Sequence, residues 1–580
     1  MAVLIKQVPK VEQLELVDGH LVRDGVELEV NAYCRRANAR AVELAGPDGE
    51  VVVFTMGPPQ ADDALREMLA CGATRAIHLC DATFAGGDTL ATARTLATAI
   101  HDEGPFDLVL CGLNSVDADT GQVGPQVAEL LGLPFCAGAR SLDLDGELFR
   151  AVLEVDDGYR SVEGTLPVVI AAAERLCDPS KAPPDARAQV DPGRIRRLTA
   201  RSLGLLPSEV GLEGSPTSVG QMRTVDAQRT PRVTTDVAEA CRWLHEQAVL
   251  AASSDDDWSE QVPAGGGRGP EIWCVLEDHG RSAAELLGEA AVLAAHIDGS
   301  VTAVTTGDPK GLEALGGDRV LIVPGEPEPE QLADALSIAA RRWMPWAILV
   351  EGTHSGRVVA STVAARNGWG LVGDAVAFGV DPDGRLVSWK PAFGGQTVVA
   401  IDSRSPVQMA TVRRGVLPLR RAREAPVAPI VELEQTRPAR VRTVGTECTD
   451  PDLARFVSAP VVIGIGQGVD PADYDRFDSL RLALGDAPLG ATRKVTDRGW
   501  LPRSRQIGVT GHSIGPRLYI AVGISGRFNH TVGLRNVGKV LAINPNPDAE
   551  IFQQCDFGLV ADWLTVVDQL AGAVAGGDGA

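Results

Sequence analysis

The stretch FDLVLCGLNSVDADTGQVGPQVAELLGLP (106–134) and its later counterpart PWAILVEGTHSGRVVASTVAARNGWGL (345–371) decide the fold. Each begins with a short apolar run ending in glycine, passes through a polar loop and continues into an Ala- and Val-rich stretch, which reads as strand, loop and helix. Laid on one another, the two pair Gly112 with Gly352 and Ala128 with Ala364, and LDLDGELF (142–149) answers VDPDGRLV (380–387) at nearly the same offset. The chain therefore carries two copies of one domain. Further runs such as VVVFTMG (51–57) alternate with helical stretches such as DALREMLACG (63–72). That alternation predicts α/β domains built on parallel sheets.

Outside the repeat, 580 residues are too many for one core and predict several domains. SSDDDWSEQVPAGGGRGP (253–270) has little to bury and reads as a tether within a linker over 231–270. REAPVAPIVELEQTRPARVR, after RRGVLP at 413–418, predicts a crossover or hinge over 419–455. The expected units are thus 1–230, 271–418 and 456–580.

Charge and cysteine usage narrow the function. With 54 basic and 77 acidic residues the net charge is -23, which repels a phosphate backbone and an anionic membrane alike. No stretch has the length of an apolar membrane span, and MAVLIKQVPK lacks the features of a signal peptide, so a cytoplasmic protein is expected. The ten cysteines include no Cys-x-x-Cys pair, so zinc and iron–sulfur chemistry have no ligand spacing, and reduced thiols are expected. There is no Ser-His-Asp or Cys-His arrangement and no Walker lysine.

The last third supplies a series of glycine-rich loops, each following an apolar run. VVIGIGQGVD starts at 461, followed by GATRKVTDRGW (490–500), QIGVTGHSIGPRLYIAVGISGRFNHTVG (506–533), LAINPNPDAEIF (541–552) and CDFGLVAD (555–562). Such loops let backbone N–H groups approach phosphates closely, and helices starting there add a favourable dipole. One such loop is an ordinary strand–helix turn; the ordered series is far more specific.

In order and spacing this series resembles the α-subunit FAD domain of the electron transfer flavoproteins, including its hallmark LYIAVGISG…H, here Leu518 to His530. The resemblance implies a Rossmann-like, DHS-type FAD-binding domain. It places Arg493 over the flavin ring, the Thr510 hydroxyl near N5 and His530 near the C2 carbonyl. Cation and donors there would stabilise the charge that one-electron reduction puts on N1 and O2. Gln467, Gly511, His512, Ser525, Gly526 and Asn529 would line the cofactor, with Asn544 and Asp562 near its adenosine end. Three positions depart from the family pattern: Gln467 replaces an arginine, Val509 a glutamine, and Arg527-Phe528 a small-aliphatic pair.

Residues 1–230 resemble the β subunit of the same family through VLIKQVP (3–9), NAYC (31–34), GPPQADDALREMLACGATRAIHL (57–79) and GSPTSV (214–219). Residues 271–418 resemble the first domain of the α subunit through THSGR (353–357), KPAFGGQ (390–396) and QMATVRRG (408–415). The resemblance implies two adenine-nucleotide-hydrolase-like domains and a β–α fusion in one chain. β subunits hold a second nucleotide, AMP in the simple carriers and FAD in bifurcating and nitrogen-fixation-type members. Its expected contacts are Lys6, Asn31, Cys34, Gly57, Thr89, Thr92, Asp119, Thr120, Gly121, Gln122 and Val123. FAGGDTLAT (84–92) and DTGQVGP (119–125) resemble the two-FAD members, while Ala93 replaces their usual serine.

The implied function is electron transfer from a flavin-linked dehydrogenase to an acceptor such as a membrane quinone oxidoreductase, by a redox carrier rather than an enzyme with its own substrate. An NADH-oxidising bifurcating flavoprotein with two FAD, and a nucleotide-responsive protein like the universal stress family, are the alternatives. RLCDPSKAPPDARAQVDPGRIRR (175–197), where the family docks its dehydrogenase through an anchoring leucine, shows no convincing anchor and reads equally as a surface loop. A monomer or homodimer is compatible with the fusion.

Overall fold

A computed structural model describes residues 1–10, 15–17, 20–22, 27–115, 117–224, 229–252, 260–277, 279–392, 397–434, 437–508, 511–534 and 537–576. Three mostly parallel sheets organise it, in agreement with the α/β reading.

The N-terminal sheet runs, edge to edge, Ile195–Leu198, Arg75–Leu79, Val52–Met56, Ala2–Leu4, Leu108–Gly112, Val168–Ala172, Phe135–Asp145, Leu148–Val155, Gly158–Thr165 and Val441–Cys448. Its central strands are parallel and its last four form an antiparallel meander. Both faces are covered, which is why those strands read as unbroken apolar runs. Val3, Val53, Leu110 and Ile170 fill the core on one face, while Ala2, Val52, Val109 and Val169 fill the other.

The middle domain repeats the plan with seven parallel strands: Leu371–Ala375, Gln408–Val412, Ala347–Glu351, Glu271–Val275, Ser300–Thr305, Arg319–Ile322 and Ile430–Glu432. Leu108–Gly112 and Ala347–Glu351, the strands of the sequence repeat, hold equivalent central places beside the first strand of each domain. The C-terminal sheet has six parallel strands: Arg232–Thr234, Phe557–Val560, Lys539–Asn544, Leu518–Val522, Val461–Ile465 and Leu489–Ala491.

The segments read as connections turn out to be structural. Residues 232–252, inside the expected linker, form the strand Arg232–Thr234, paired with Phe557–Leu559, and the helix Val237–Ala252, whose Ala240, Leu244 and Ala248 are buried in the C-terminal core. Arg229 is already bound to that domain through Asp556 and the carbonyls of Val537 and Gly538. Thr217–Thr224 pairs with Thr397–Ser403 of the middle domain. Val441–Cys448, inside the expected crossover, completes the N-terminal sheet against Gly158–Gly164. Attachment then changes hands within one peptide: Thr449 N–H donates to Asp157 O at 3.0 Å, whereas Asp450 accepts from Ser504 and Arg505 of the C-terminal domain at 2.6 to 2.8 Å.

All ten cysteines are free thiols, five of them buried and Cys448 exposed. Among the described residues no helix is long and apolar enough to cross a membrane.

Candidate cofactor sites

In an open parallel sheet, ligands bind outside the carboxyl ends of the strands where the winding reverses. In the C-terminal sheet that point lies between Val461–Ile465 and Leu518–Val522, since the chain winds outward to Leu489–Ala491 on one side and to Lys539–Asn544 on the other. The loops leaving both strands meet there. Gly466 N–H donates to Val522 O at 2.8 Å, and a Cβ on Gly466 would stand 2.0 Å from Gly523 O. Gly523 (φ +62°) and Gly526 (φ +87°) hold left-handed backbone, and a Cβ on Gly526 would meet Ile551 N at 2.1 Å. Only glycine permits this packing, and the loops it leaves present backbone without side-chain bulk. Such a crevice fits a dinucleotide.

The expected FAD residues distribute around it unevenly. Asn544 is buried and clamps the glycine loop, its Nδ2 donating to Ile524 O at 2.9 Å. Gly526 lies buried and Ser525 exposed on that loop. Asp562 caps the helix Trp563–Ala575 by accepting from Leu564 N–H at 3.1 Å. The Gln467 carboxamide oxygen faces Arg498 and accepts from its Nη1 and Nη2 at 3.0 and 2.8 Å, so a guanidinium stands beside the position that lost its arginine. Gly511 and His512 belong to a tight loop in which Gly508 N–H donates to His512 O at 3.1 Å. Burial pulls the His512 pKa down, with Asp156 opposing. Thr510 and Val509 lie outside the described residues, as do the side chains of Phe528 and Asn529.

Arg493 opens the short helix Arg493–Asp497 and reaches out of its own domain. It pairs with Glu174 of the N-terminal half and with Asp497 at 3.3 Å, while Arg503 approaches the other Glu174 oxygen at 3.4 Å. The expected flavin cation is therefore tied across a domain boundary, a contact that sequence spacing cannot reveal.

His530 is held at both ring nitrogens. Its Nδ1 lies 3.2 Å from Ile507 O and its Nε2 2.8 Å from Tyr519 Oη. A carbonyl only accepts, so Nδ1 carries the proton and Nε2 accepts from the tyrosine. Burial pushes its pKa down to about 4, leaving a neutral ring with no N–H for another acceptor.

The N-terminal sheet reverses between Ala2–Leu4 and Leu108–Gly112. There Lys6 Nζ grips Asp117 at 2.8 Å from both carboxylate oxygens, and Asn31 Nδ2 donates to Asn114 O at 2.7 Å. Asn114 Oδ1 accepts from Gly121 N–H at 3.1 Å, so the Gly121 donor expected for phosphate is turned into the loop. Thr89 Oγ1 donates to Gln122 Oε1 at 2.7 Å. Cys34 lies buried under Gly112, whose Cβ would come within 3.2 Å of its sulfur. Gly57 O is engaged by His78 Nε2 at 3.2 Å, and Thr92 is a first-turn residue of the helix Thr89–Glu103.

Two helices, Ala32–Ala45 and Val123–Leu130, begin at this reversal without a side-chain cap. Asn31 Oδ1 and Gln122 Nε2 are buried there with no hydrogen-bond partner among the described residues. The repeat provides an internal control. Its equivalent helix His354–Asn367 is capped by Thr353, which accepts from Gly356 N–H at 2.8 Å. The matching middle-domain crevice is filled by Glu277 and Glu351 with Arg414 between them at 3.2 and 3.3 Å. The donor set of the N-terminal crevice fits a nucleotide phosphate; the carboxylates of the middle one do not.

The electron transfer flavoprotein domain model matches residues 18–199 and 274–438, and the electron transfer flavoprotein FAD-binding domain model matches 455–535. This chain belongs to the electron transfer flavoprotein family. Its C-terminal part is 32% identical over 320 residues to the electron transfer flavoprotein subunit alpha of Thermoanaerobacterium thermosaccharolyticum, covering 52% of this chain and 96% of the relative. The subunit beta of the same organism is 36% identical over 252 residues, covering 42% of this chain and 96% of the relative. Protein FixB of Rhizobium meliloti is 32% identical over 328 residues, 52% of this chain and 91% of the relative.

This electron transfer flavoprotein is thus a β–α fusion with an FAD-binding C-terminal domain. In the stretch where the family docks its dehydrogenase, a short helix Pro184–Ala188 is fastened down by Arg187, which pairs with Asp63 at 2.9 Å and Glu67 at 2.7 Å. Sequence reasoning missed Glu174, Asn114 and Arg498 in this flavoprotein. Each acts through a partner that only the fold brings near.

Proposed function

We propose that this flavoprotein is a two-nucleotide electron carrier, taking electrons from a flavin-linked dehydrogenase and passing them to an acceptor such as a membrane quinone oxidoreductase. FAD in the C-terminal crevice supplies the one-electron chemistry when bound. Gly466, Gly468, Gly523 and Gly526 bring the backbone close to it, Asn544 fixes their loop, and Arg493 sets a positive charge at the rim, balanced by Glu174. The neutral His530 holds the Ile507 carbonyl in place.

A second adenine nucleotide, AMP or FAD, occupies the N-terminal crevice. The observation that carries this reading is the pair of uncapped helix starts, beside an unpartnered donor at Gln122 Nε2 and an unpartnered acceptor at Asn31 Oδ1, against a capped, carboxylate-filled equivalent in the middle domain. Quantifying nucleotides released from the purified chain tests it. One FAD with one AMP, or two FAD, is expected; one FAD alone would remove the second site.

A further inference from the structure

Two motifs remain unexplained by this scheme. THSGR (353–357) and KPAFGGQ (390–396) both belong to the middle domain, whose own crevice is filled by side chains. Lys390 nonetheless reaches the other half of the chain, and Arg357 holds Asp374 beneath it.

Lys390, on the strand Leu386–Ala392, donates from Nζ to Ala118 O at 2.8 Å and lies 3.5 Å from Asp119 O. Those carbonyls belong to the loop that leads into the uncapped helix Val123–Leu130. Arg357 grips both oxygens of Asp374 at 3.1 Å, and Asp374 and its neighbour Gly373 form the floor beneath the same loop. A Cβ on Gly373 would stand 2.9 Å from Gln122 Nε2 and 3.8 Å from Thr120 Cα. Gln122 Nε2, which has no partner among the described residues, is thus pressed against the middle domain, while its Oε1 accepts from Thr89. Asp119, at φ +46° and half-buried in this contact, accepts from Asn114, and its partial desolvation and then the nearby Asp374 raise its pKa. A left-handed aspartate that buries its carboxylate near a second one is an unfavourable conformation for a free loop. The guanidinium groups of Arg413 and Arg357 and the ammonium of Lys390 offset that cost by placing three cations around the two acids.

We propose that Lys390 is a positioning residue of the second nucleotide site, holding the 118–122 loop from the middle domain so that the first turn of Val123–Leu130 faces the phosphate of an adenine nucleotide. This rests on the reading of a second nucleotide given above. The site is then assembled across the joint between the β-like and α-like parts rather than within the β-like part alone.

The test counts nucleotides on the full chain after gel filtration, for the wild type, Lys390→Met, Lys390→Arg and Gly373→Ala, and then measures binding of added AMP by calorimetry. Losing a charge-assisted hydrogen bond that organises a loop corresponds to a weakening of about tenfold or more. Lys390→Met should therefore lose the second nucleotide and bind AMP at least about tenfold more weakly, while the C-terminal FAD stays at full occupancy. Lys390→Arg should restore binding, and Gly373→Ala, which intrudes on Gln122, should weaken it. If Lys390→Met keeps the second nucleotide at the wild-type level, or lowers only the melting temperature, the positioning role is overturned while the second site stands. If the wild type itself carries FAD alone and takes up no AMP, the second-site reading falls and the inference with it.

Discussion

His530 is engaged by Tyr519 and Ile507 at both ring nitrogens, and burial pushes its pKa down to about 4 from an ordinary 6.5. The sign of the consequence follows from proton counting. Above pH 6.5 neither state binds a proton there; between 6.5 and 4 the unfolded chain does and the native ring does not. Stability should therefore fall by roughly 1.4 kcal/mol per pH unit across that window and level off below it. Thermal release of FAD, followed by flavin fluorescence, should show this loss, and His530→Gln should lessen the slope and leave the share of His354, which burial also pushes down to about 4; an equal slope in the variant would remove His530 as a source. Arg493 leads to a second prediction. On the proposed place of Arg493 beside the flavin, with Glu174 against it, Arg493→Ala should lower the one-electron potential by roughly 60 mV, a tenfold change in equilibrium. Glu174→Gln should raise the potential, because it removes the opposing charge. Spectroelectrochemical titration of both variants checks the signs, and shifts in the same direction would contradict the pairing. The motif singles out Arg493 as a candidate. It does not single out Glu174, because a partner 319 positions away leaves no local trace.

Among elements, the helix Val237–Ala252 shows what composition conceals. Its sequence sits beside a Ser-, Asp- and Gly-rich tether and by composition reads with it as linker, yet Ala240, Leu244 and Ala248 recur every four residues and are buried against the C-terminal domain. That spacing was the available signal. Leu244→Ala should cost about 2–5 kcal/mol, the usual range for a buried leucine, and should lower the temperature of FAD release although the residue lies over 200 positions before the FAD motif. An unchanged release temperature would mean that this helix does not support the FAD domain. The strand Val441–Cys448 gave no such signal. It is mostly exposed and gains its place from backbone pairing with Gly158–Gly164 along a sheet edge, which any extended segment offers. The repeat, by contrast, was legible because both copies bury their strands on two faces and must stay apolar throughout.

For the whole molecule, the fusion and the strand exchanges bind the same parts twice. The β-like part sends Thr217–Thr224 into the middle domain and residues 229–252 into the C-terminal one, and the α-like part returns Val441–Cys448 to the N-terminal sheet. Arg366 adds a cross-domain pair with Glu129 at 2.6 Å. The covalent connection through 253–259 therefore raises the effective concentration of parts that would recognise each other without it. Replacing 253–259 with a protease site and cutting it should give two fragments that co-elute in gel filtration, keep FAD and melt together. Residues 229–252, packed on the C-terminal unit, would stay linked to the β-like part through 225–228, and the C-terminal unit would stay linked through Thr449 and Asp450 to the strand Val441–Cys448. Fragments that separate on cutting, with the FAD domain losing its flavin, would show that the link and not the exchanged strands holds the halves together. Co-elution would instead make the fusion a device for fixed one-to-one stoichiometry, leaving the fold to the interlocked strands.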